Sequence, residues 1–274
     1  MKEKEDGLCE WASVDHANDP NRFVNYLDTA TTIDFFQAYK RETYSLMNLG
    51  KGSCVLDVGC GAGDDVLALT QIIGSKGRVV GIDNSEIMVD KAKKRASREI
   101  SQIEFYVKDA HDLDFCDDTF DACRADRVFQ HLKMPKRALS EMIRVVRPES
   151  RIVISEPDWE TLVVDMPNKT LTRRILNYFC DKTINGWCGR ELFRLFRTSG
   201  LNNTSIIPRT FTLTDYAMAD QLFGLKSTAL EMRTDGNLTE NEAAEWLEYL
   251  QNASENRLFF CAVTGYIAIG TKPR

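Results

Sequence analysis

The chain of 274 residues lacks most of what would tie it to a membrane, an oxidising compartment or a nucleic acid. No run approaches the ~18 apolar residues of a membrane span, so none is expected. The start, Met1-Lys2-Glu3-Lys4-Glu5-Asp6, is charged and has no apolar stretch of the secretory kind, which points to a cytoplasmic protein. None of the eight cysteines (Cys9, Cys54, Cys60, Cys116, Cys123, Cys180, Cys188, Cys261) stands in a C-x-x-C pair, and several fall in apolar runs. Free, mostly buried thiols in a reducing compartment are therefore expected, and no metal. The net charge of −6 argues against general affinity for nucleic acid, which rests on clustered cations. The one dense basic run, Lys91-Ala92-Lys93-Lys94-Arg95, reads as a solvated helix face. Histidine is scarce, at three residues, and no internal repeat or low-complexity tract is present. A hydrophobic share of 43% is still enough for a substantial core, and the length suits one domain with a cap.

The most informative stretch that is present is Asp57-Val58-Gly59-Cys60-Gly61-Ala62-Gly63. It ends an apolar run, Cys54-Val55-Leu56, and opens onto a helix-like one from Asp64 to Ile73. Glycine tolerates positive φ and lets the backbone approach a ligand closely. The following helix start offers N–H groups and positive dipole to an anionic group. A dinucleotide fingerprint needs its third glycine two residues further on, as G-x-G-x-x-G, where this chain has Asp64; that weighs against a nicotinamide oxidoreductase. With the pattern D-x-G-x-G-x-G the chain resembles class I S-adenosylmethionine-dependent methyltransferases, whose first motif has this form.

Four more features follow in order. Gly77-Arg78-Val79-Val80-Gly81-Ile82-Asp83 is a β-rich run ending in an acid that can accept both ribose hydroxyls of an adenosine. Ser85 reads as the N-cap of a helix to about Ser97. Ile103 to Val107 is a third strand, ending at Lys108-Asp109-Ala110. Phe120-Asp121-Ala122-Cys123-Arg124-Ala125-Asp126 matches the family's fourth strand, and Glu141 to Pro148, then Arg151 to Glu156, its next helix and fifth strand. The resemblance spans roughly residues 50 to 160 and implies an α/β fold: a Rossmann-like, seven-stranded, mostly parallel sheet with helices on both faces. It also implies S-adenosylmethionine as cofactor, held by Asp57, Gly59, Gly61, Gly63, Asp83, Asn84, Met88, Asp109, Ala110, Arg124, Arg127 and Tyr26. Many relatives carry Pro-Gly-Gly where this chain has Pro148-Glu149-Ser150, so a turn there must avoid positive φ or accept strain.

Outside that core, residues 1–48 show i, i+3 and i+4 aromatic recurrences of one or two amphipathic helices, expected to form part of a lid. Residues 49–213 form the cofactor-binding core, with a helical elaboration over 161–203, where Leu171 to Phe179 and Arg190 to Thr198 read as helices. Thr204 to Leu213 and Leu258 to Thr271 are the last two strands; 258–274 closes the core. Between them, Asp215 to Met232 and a stretch after Thr239, with the capping box Thr239-x-x-Glu242, make 214–257 an inserted helical cap.

Methyl transfer from a sulfonium is an in-line displacement that rests largely on alignment in a dry site, so few reactive groups are needed. His131, a few residues past the fourth strand, is the candidate general base, the alternative being a helix histidine bonded to backbone. Glu156-Pro157-Asp158-Trp159 is expected off the end of the fifth strand, at the ligand-binding edge. There Asp158 is the second acid–base candidate, and Trp159 stacks on an aromatic acceptor or faces the sulfonium. Tyr39 and His16 complete the substrate candidates, with a surface loop as the alternative for His16. His111 could lie beside the adenine. Arg124 or Arg127 pairs with the methionyl carboxylate or with Asp126, since a buried arginine needs an anion. The family branch most resembled includes ubiquinone and menaquinone pathway and specialised-metabolite methyltransferases, implying a small apolar or aromatic acceptor methylated at O, N or C. Absence of a basic stripe disfavours nucleic-acid and protein acceptors. A non-catalytic binding module stays open, as does a homo-oligomer.

Overall fold

The computed structural model describes residues 8–96 and 102–274, with the side chains of residues 8–10 and 12 left aside. Seven strands, β1 (Cys54–Val58), β2 (Arg78–Asp83), β3 (Ile103–Val107), β4 (Phe120–Asp126), β5 (Val146–Val164), β6 (Asn202–Leu213) and β7 (Cys261–Thr271), form one sheet in the order β3-β2-β1-β4-β5-β7-β6. β1 to β5 run parallel, and β7 is antiparallel to both its neighbours, β5 and β6. The alternation of strand side chains divides the core in two. Val55, Val79, Ala122 and Val153 pack into one cluster, Leu56, Val80, Cys123 and Ile152 into the other. α2 (Asp34–Leu46), α3 (Asp64–Ile73) and α4 (Glu86–Arg95) cover the first face, α5 (Pro135–Val145) and α7 (Cys188–Thr198) the second. The end proposed for α4 near Ser97 lies outside the described residues.

Several boundaries differ from the sequence reading. Glu156 to Trp159 does not leave the sheet: β5 loses its parallel partner after Ser155 but continues, with Pro157 and Asp158 opposite Gly265 and Thr264 of β7. α6 spans Lys169–Lys182 and the segment expected as one helix from Asp215 is two, α8 (Tyr216–Phe223) and α9 (Leu225–Thr234), broken where Gly224 takes φ 62°. α10 (Glu240–Glu255) starts on the reciprocal Thr239–Glu242 capping box. At the glycine-free turn, Glu149 adopts φ 67°, so the chain accepts the strained conformation there. No described helix is long and apolar enough to cross a membrane. The seven described cysteines are free, and five are buried.

The N-terminal segment divides by role. A 3-10 stretch, Leu8–His16, and α1 (Asn21–Thr31) lie over the carboxyl edge of the parallel strands, whereas α2 is core: its Phe36, Tyr39 and Tyr44 are buried against the sheet, as is Met47 just past its end. The cover is anchored by Asp15, whose carboxylate is bonded to the Ser85 hydroxyl and accepts the backbone N–H of Glu86 at 2.8 Å, at the start of α4. This side chain supplies a second cap to a helix that Ser85 already caps.

Candidate functional site

At the carboxyl ends of β1, β2, β3 and β4 lies a cavity of about 430 Å³, the edge where open α/β sheets bind ligands. Its floor is the glycine turn. Gly59 and Gly61 hold φ 70° and 51°, and a Cβ on Gly59 would stand 2.3 Å from a methyl of Val128. Only glycine satisfies both the left-handed φ and the close approach. The tip of β2 braces this turn: Asp83 Oδ2 accepts the Gly61 N–H at 2.9 Å and Oδ1 the Ser85 N–H at 3.0 Å. Burial pushes the carboxyl above its ordinary range, against the pull of these amide donors and of the Asn84 N–H.

Asn84, Met88, Asp109, Ala110, Arg127, His131, Trp159 and Tyr26 also line this cavity. Arg127 sits in the left-handed region at φ 57°, with Nη1 on the Tyr26 hydroxyl at 3.2 Å and a buried Nε that makes no hydrogen bond and lies 3.9 Å from Asp126 Oδ2. That unbonded donor, beside the glycine floor and the Asp83 carboxylate, fits a nucleoside bearing an α-amino-acid carboxylate.

Other candidates stand elsewhere. Asp57 is buried behind the glycine turn, and its Oδ1 accepts a hydrogen bond from Arg124 Nη1 at 2.9 Å. Arg124 is 1% exposed and is surrounded by acids, with Asp65 at 3.2 Å and Asp126 at 3.3 Å, so it has no reach to a ligand carboxylate. Asp57 and Arg124 are register partners on β1 and β4, which forces the pair inside the sheet. Burial pushes the Asp57 carboxyl up to about 7 against the pull of Arg124. Gly63 packs on Ala92 and Phe105 and serves the helix start. Tyr39 is a core residue that donates its hydroxyl to Asp126 at 3.0 Å, and His16 is exposed outside the cavity. Asp158, proposed as an acid–base group, is buried within the β5–β7 pairing and bound bidentately by Arg190, at 2.5 and 2.9 Å. Its ion pair is structural, so Asp158→Asn should leave the turnover pH profile unchanged while lowering stability by about 1 to 3 kcal/mol. Parallel rate and denaturation curves check this, and a lost acidic limb in the profile would restore the catalytic reading.

His131 lines the cavity and stacks on Trp11 at 6.2 Å between centroids. Its position is set by Glu156, which accepts the backbone N–H groups of Val128, Phe129 and Gln130 at 2.7, 2.6 and 3.3 Å. Burial pushes the Glu156 carboxyl up to about 8 while those donors pull the other way. Burial and the Arg127 charge hold His131 down to about 3, too weak a base to collect a proton efficiently near neutrality. An unfolded histidine titrates near 6.5, so between pH 6.5 and 3 the unfolded chain binds the additional proton. Stability therefore falls as pH drops through that window, by up to ~1.4 kcal/mol per pH unit from this group. His131→Gln should flatten that slope, measured as urea midpoints at pH 7, 6 and 5; an unchanged slope would show an exposed, ordinary imidazole.

Among the walls that sequence reasoning missed, Trp11 and Leu27 come from the cover, and Asp126 from the end of β4. An aromatic in a polar terminal segment was the available signal for Trp11. Among the described residues no group of three or more histidines, cysteines or carboxylates is placed to hold a metal ion.

The methyltransferase domain family matches residues 49–201. The chain belongs to the class I S-adenosylmethionine-dependent methyltransferases. The methyltransferase is 35% identical over 90% of its length to an uncharacterized 37.1 kDa protein in transposon TN4556 of Streptomyces fradiae, covering 70% of that protein. It is 28% identical to a demethylmenaquinone methyltransferase of Bacillus cereus, over 67% of this chain and 86% of the relative. Among solved structures, the YcgJ protein of Bacillus subtilis superposes with a TM-score of 0.61 at 17% identity, covering 87% of this chain and 99% of the other, which shows the shared fold. S-adenosylmethionine is the cofactor of this methyltransferase. When bound, it supplies a methyl group activated on a sulfonium.

Proposed function

We propose that the methyltransferase places this methyl group on an oxygen, nitrogen or carbon of a small apolar or aromatic metabolite in the cytoplasm. One observation carries the reading: Trp11, Tyr26 and Trp159 line the same cavity as Asp83 and the Gly59–Gly61 turn. Three aromatic rings beside a cofactor site make a wall that holds a flat apolar molecule and keeps water out. The Bacillus cereus relative is named for demethylmenaquinone, an apolar aromatic compound, which supports the same class here.

Within the site, Asp83 holds the ribose hydroxyls, Arg127 the methionyl carboxylate, and Asp109 with Ala110 the adenine edge. His131 and the aromatic wall orient the acceptor, and catalysis comes from alignment and water exclusion with little help from a protein base. Incubation with S-adenosylmethionine labelled at the methyl carbon and a library of small phenols, quinols, amines and activated methylenes tests this. Label should move to a member of the library. Transfer only to protein or nucleic acid, with none to small molecules, would overturn the acceptor class.

A further inference from the structure

We propose that a second cavity, of about 270 Å³, is the acceptor chamber and takes a neutral aromatic molecule carrying a hydroxyl or amine, an assignment that rests on the small apolar acceptor proposed above. This cavity lies between α1, α6 and the α8–α9 insertion. Trp11 and Tyr26 line both cavities, so the chamber adjoins the cofactor site at this shared layer of side chains. That layer is held on the cofactor side by the Arg127–Tyr26 hydrogen bond and the Trp11–His131 stack. Trp159 forms the adjoining wall. It lines the first cavity and meets Phe179 and Phe223 of the second edge-on, at 5.2 and 5.9 Å. A ring seated in the chamber therefore presents one edge between Tyr26 and Trp159, toward the cofactor.

The wall chemistry selects the ligand. Arg22, Lys182, Asp220 and Glu231 contribute two charges of each sign. Lys182 is bonded to Glu231, Asp220 accepts the Lys226 N–H at 2.7 Å, and the Arg22 guanidinium lies over the Phe23 ring at 4.6 Å. A balanced wall of engaged charges gives an ionic ligand no return for its desolvation. The Ser227 and Thr228 hydroxyls both donate back to the Gly224 carbonyl, at 3.0 and 2.8 Å, leaving only lone pairs for a ligand donor. Phe179 and Lys182 are the only lining residues within the matched family region, 49–201; the rest come from the N-terminal cover and the insertion. The chamber is thus an elaboration of this chain, closed where Gln221 donates to the Thr29 hydroxyl at 3.1 Å.

The test uses 2-naphthol as a neutral probe and 2-naphthoate as its charged counterpart, with the whole protein saturated by S-adenosylhomocysteine. Naphthol should bind, and naphthoate about 10-fold more weakly or not at all. Ser227→Trp, which fills the chamber from α9, should weaken naphthol about 10-fold or more with S-adenosylhomocysteine affinity unchanged. Naphthol should also slow amide exchange in residues 21–31 and 216–234 of the wild-type protein. Normal naphthol affinity in a variant that still binds S-adenosylhomocysteine overturns the assignment. If the variant does not fold, the wild-type exchange pattern decides: protection confined to residues 83–84 and 109–111, or no naphthol binding at all, overturns it equally. A failure of the proposed function reads differently, as naphthol protection in the chamber with no methyl label on any small acceptor.

Discussion

Arg124→Met should cost the fold about 3 to 5 kcal/mol, the loss expected when one partner of a buried ion cluster is removed and its counter-charges stay behind. Among the described residues, Arg124 alone pairs with Asp57, Asp65 and Asp126 together, and its Nε donates to the Thr43 hydroxyl at 3.0 Å. Without it, three buried carboxylates face Lys40, which reaches Asp65 at 2.6 Å and Asp126 at 3.6 Å. The carboxyls then hold protons to higher pH. Asp57 already keeps its proton to about 7 in the fold against an ordinary 3.8. A raised folded value contributes stability that is complete below 3.8 and is lost as pH rises toward 7. In the variant this loss should extend above pH 7, so its deficit grows between pH 6 and 9. Urea unfolding at constant slope measures both effects. A deficit under about 1 kcal/mol would mean that water, and not Arg124, compensates these acids.

Asp83→Ala should weaken binding of S-adenosylhomocysteine roughly 10- to 150-fold, the equivalent of about 1.5 to 3 kcal/mol for charge-assisted hydrogen bonds. Two losses combine. The ribose hydroxyls lose the acceptor proposed for them, and the Gly61 and Ser85 N–H groups lose the carboxylate that holds the glycine turn against β2. Asp83→Asn keeps one oxygen and should recover part of the affinity, so comparing the two by calorimetry separates contact from turn. Unchanged affinity in folded Asp83→Ala would remove the residue from the site.

The sheet core was legible because its signals are local. The apolar, β-rich runs at 54–58, 78–83, 103–107 and 120–126, the glycine turn and the Ser85 and Thr239 caps each depend on residues within a few positions of one another. Glycine spacing also fixed the cofactor class, since a turn needing positive φ at Gly59 and Gly61 admits few alternatives. The split of the 214–257 insertion at Gly224 was not legible, because an isolated glycine in a helical pattern is compatible with continuation.

Side-chain destinations were decided by packing across long separations. Arg124 and Asp57 lie 67 residues apart and meet only because β1 and β4 are neighbours in one register. Asp158 meets Arg190 from 32 residues away, and Tyr39 meets Asp126 across 87. A sequence shows that a buried charge needs a partner; it does not show whether protein or ligand provides it. Asp57, Arg124, Tyr39 and Asp158 are paired within the protein and lie outside the cavity lining, whereas Asp83 and Arg127 line the cavity. The sequence by itself determined the strand order's raw material, the glycine turn and the cofactor; the tertiary structure alone decided which charges are spent inside the protein, because that depends on strand neighbours and helix packing, and not on spacing along the chain.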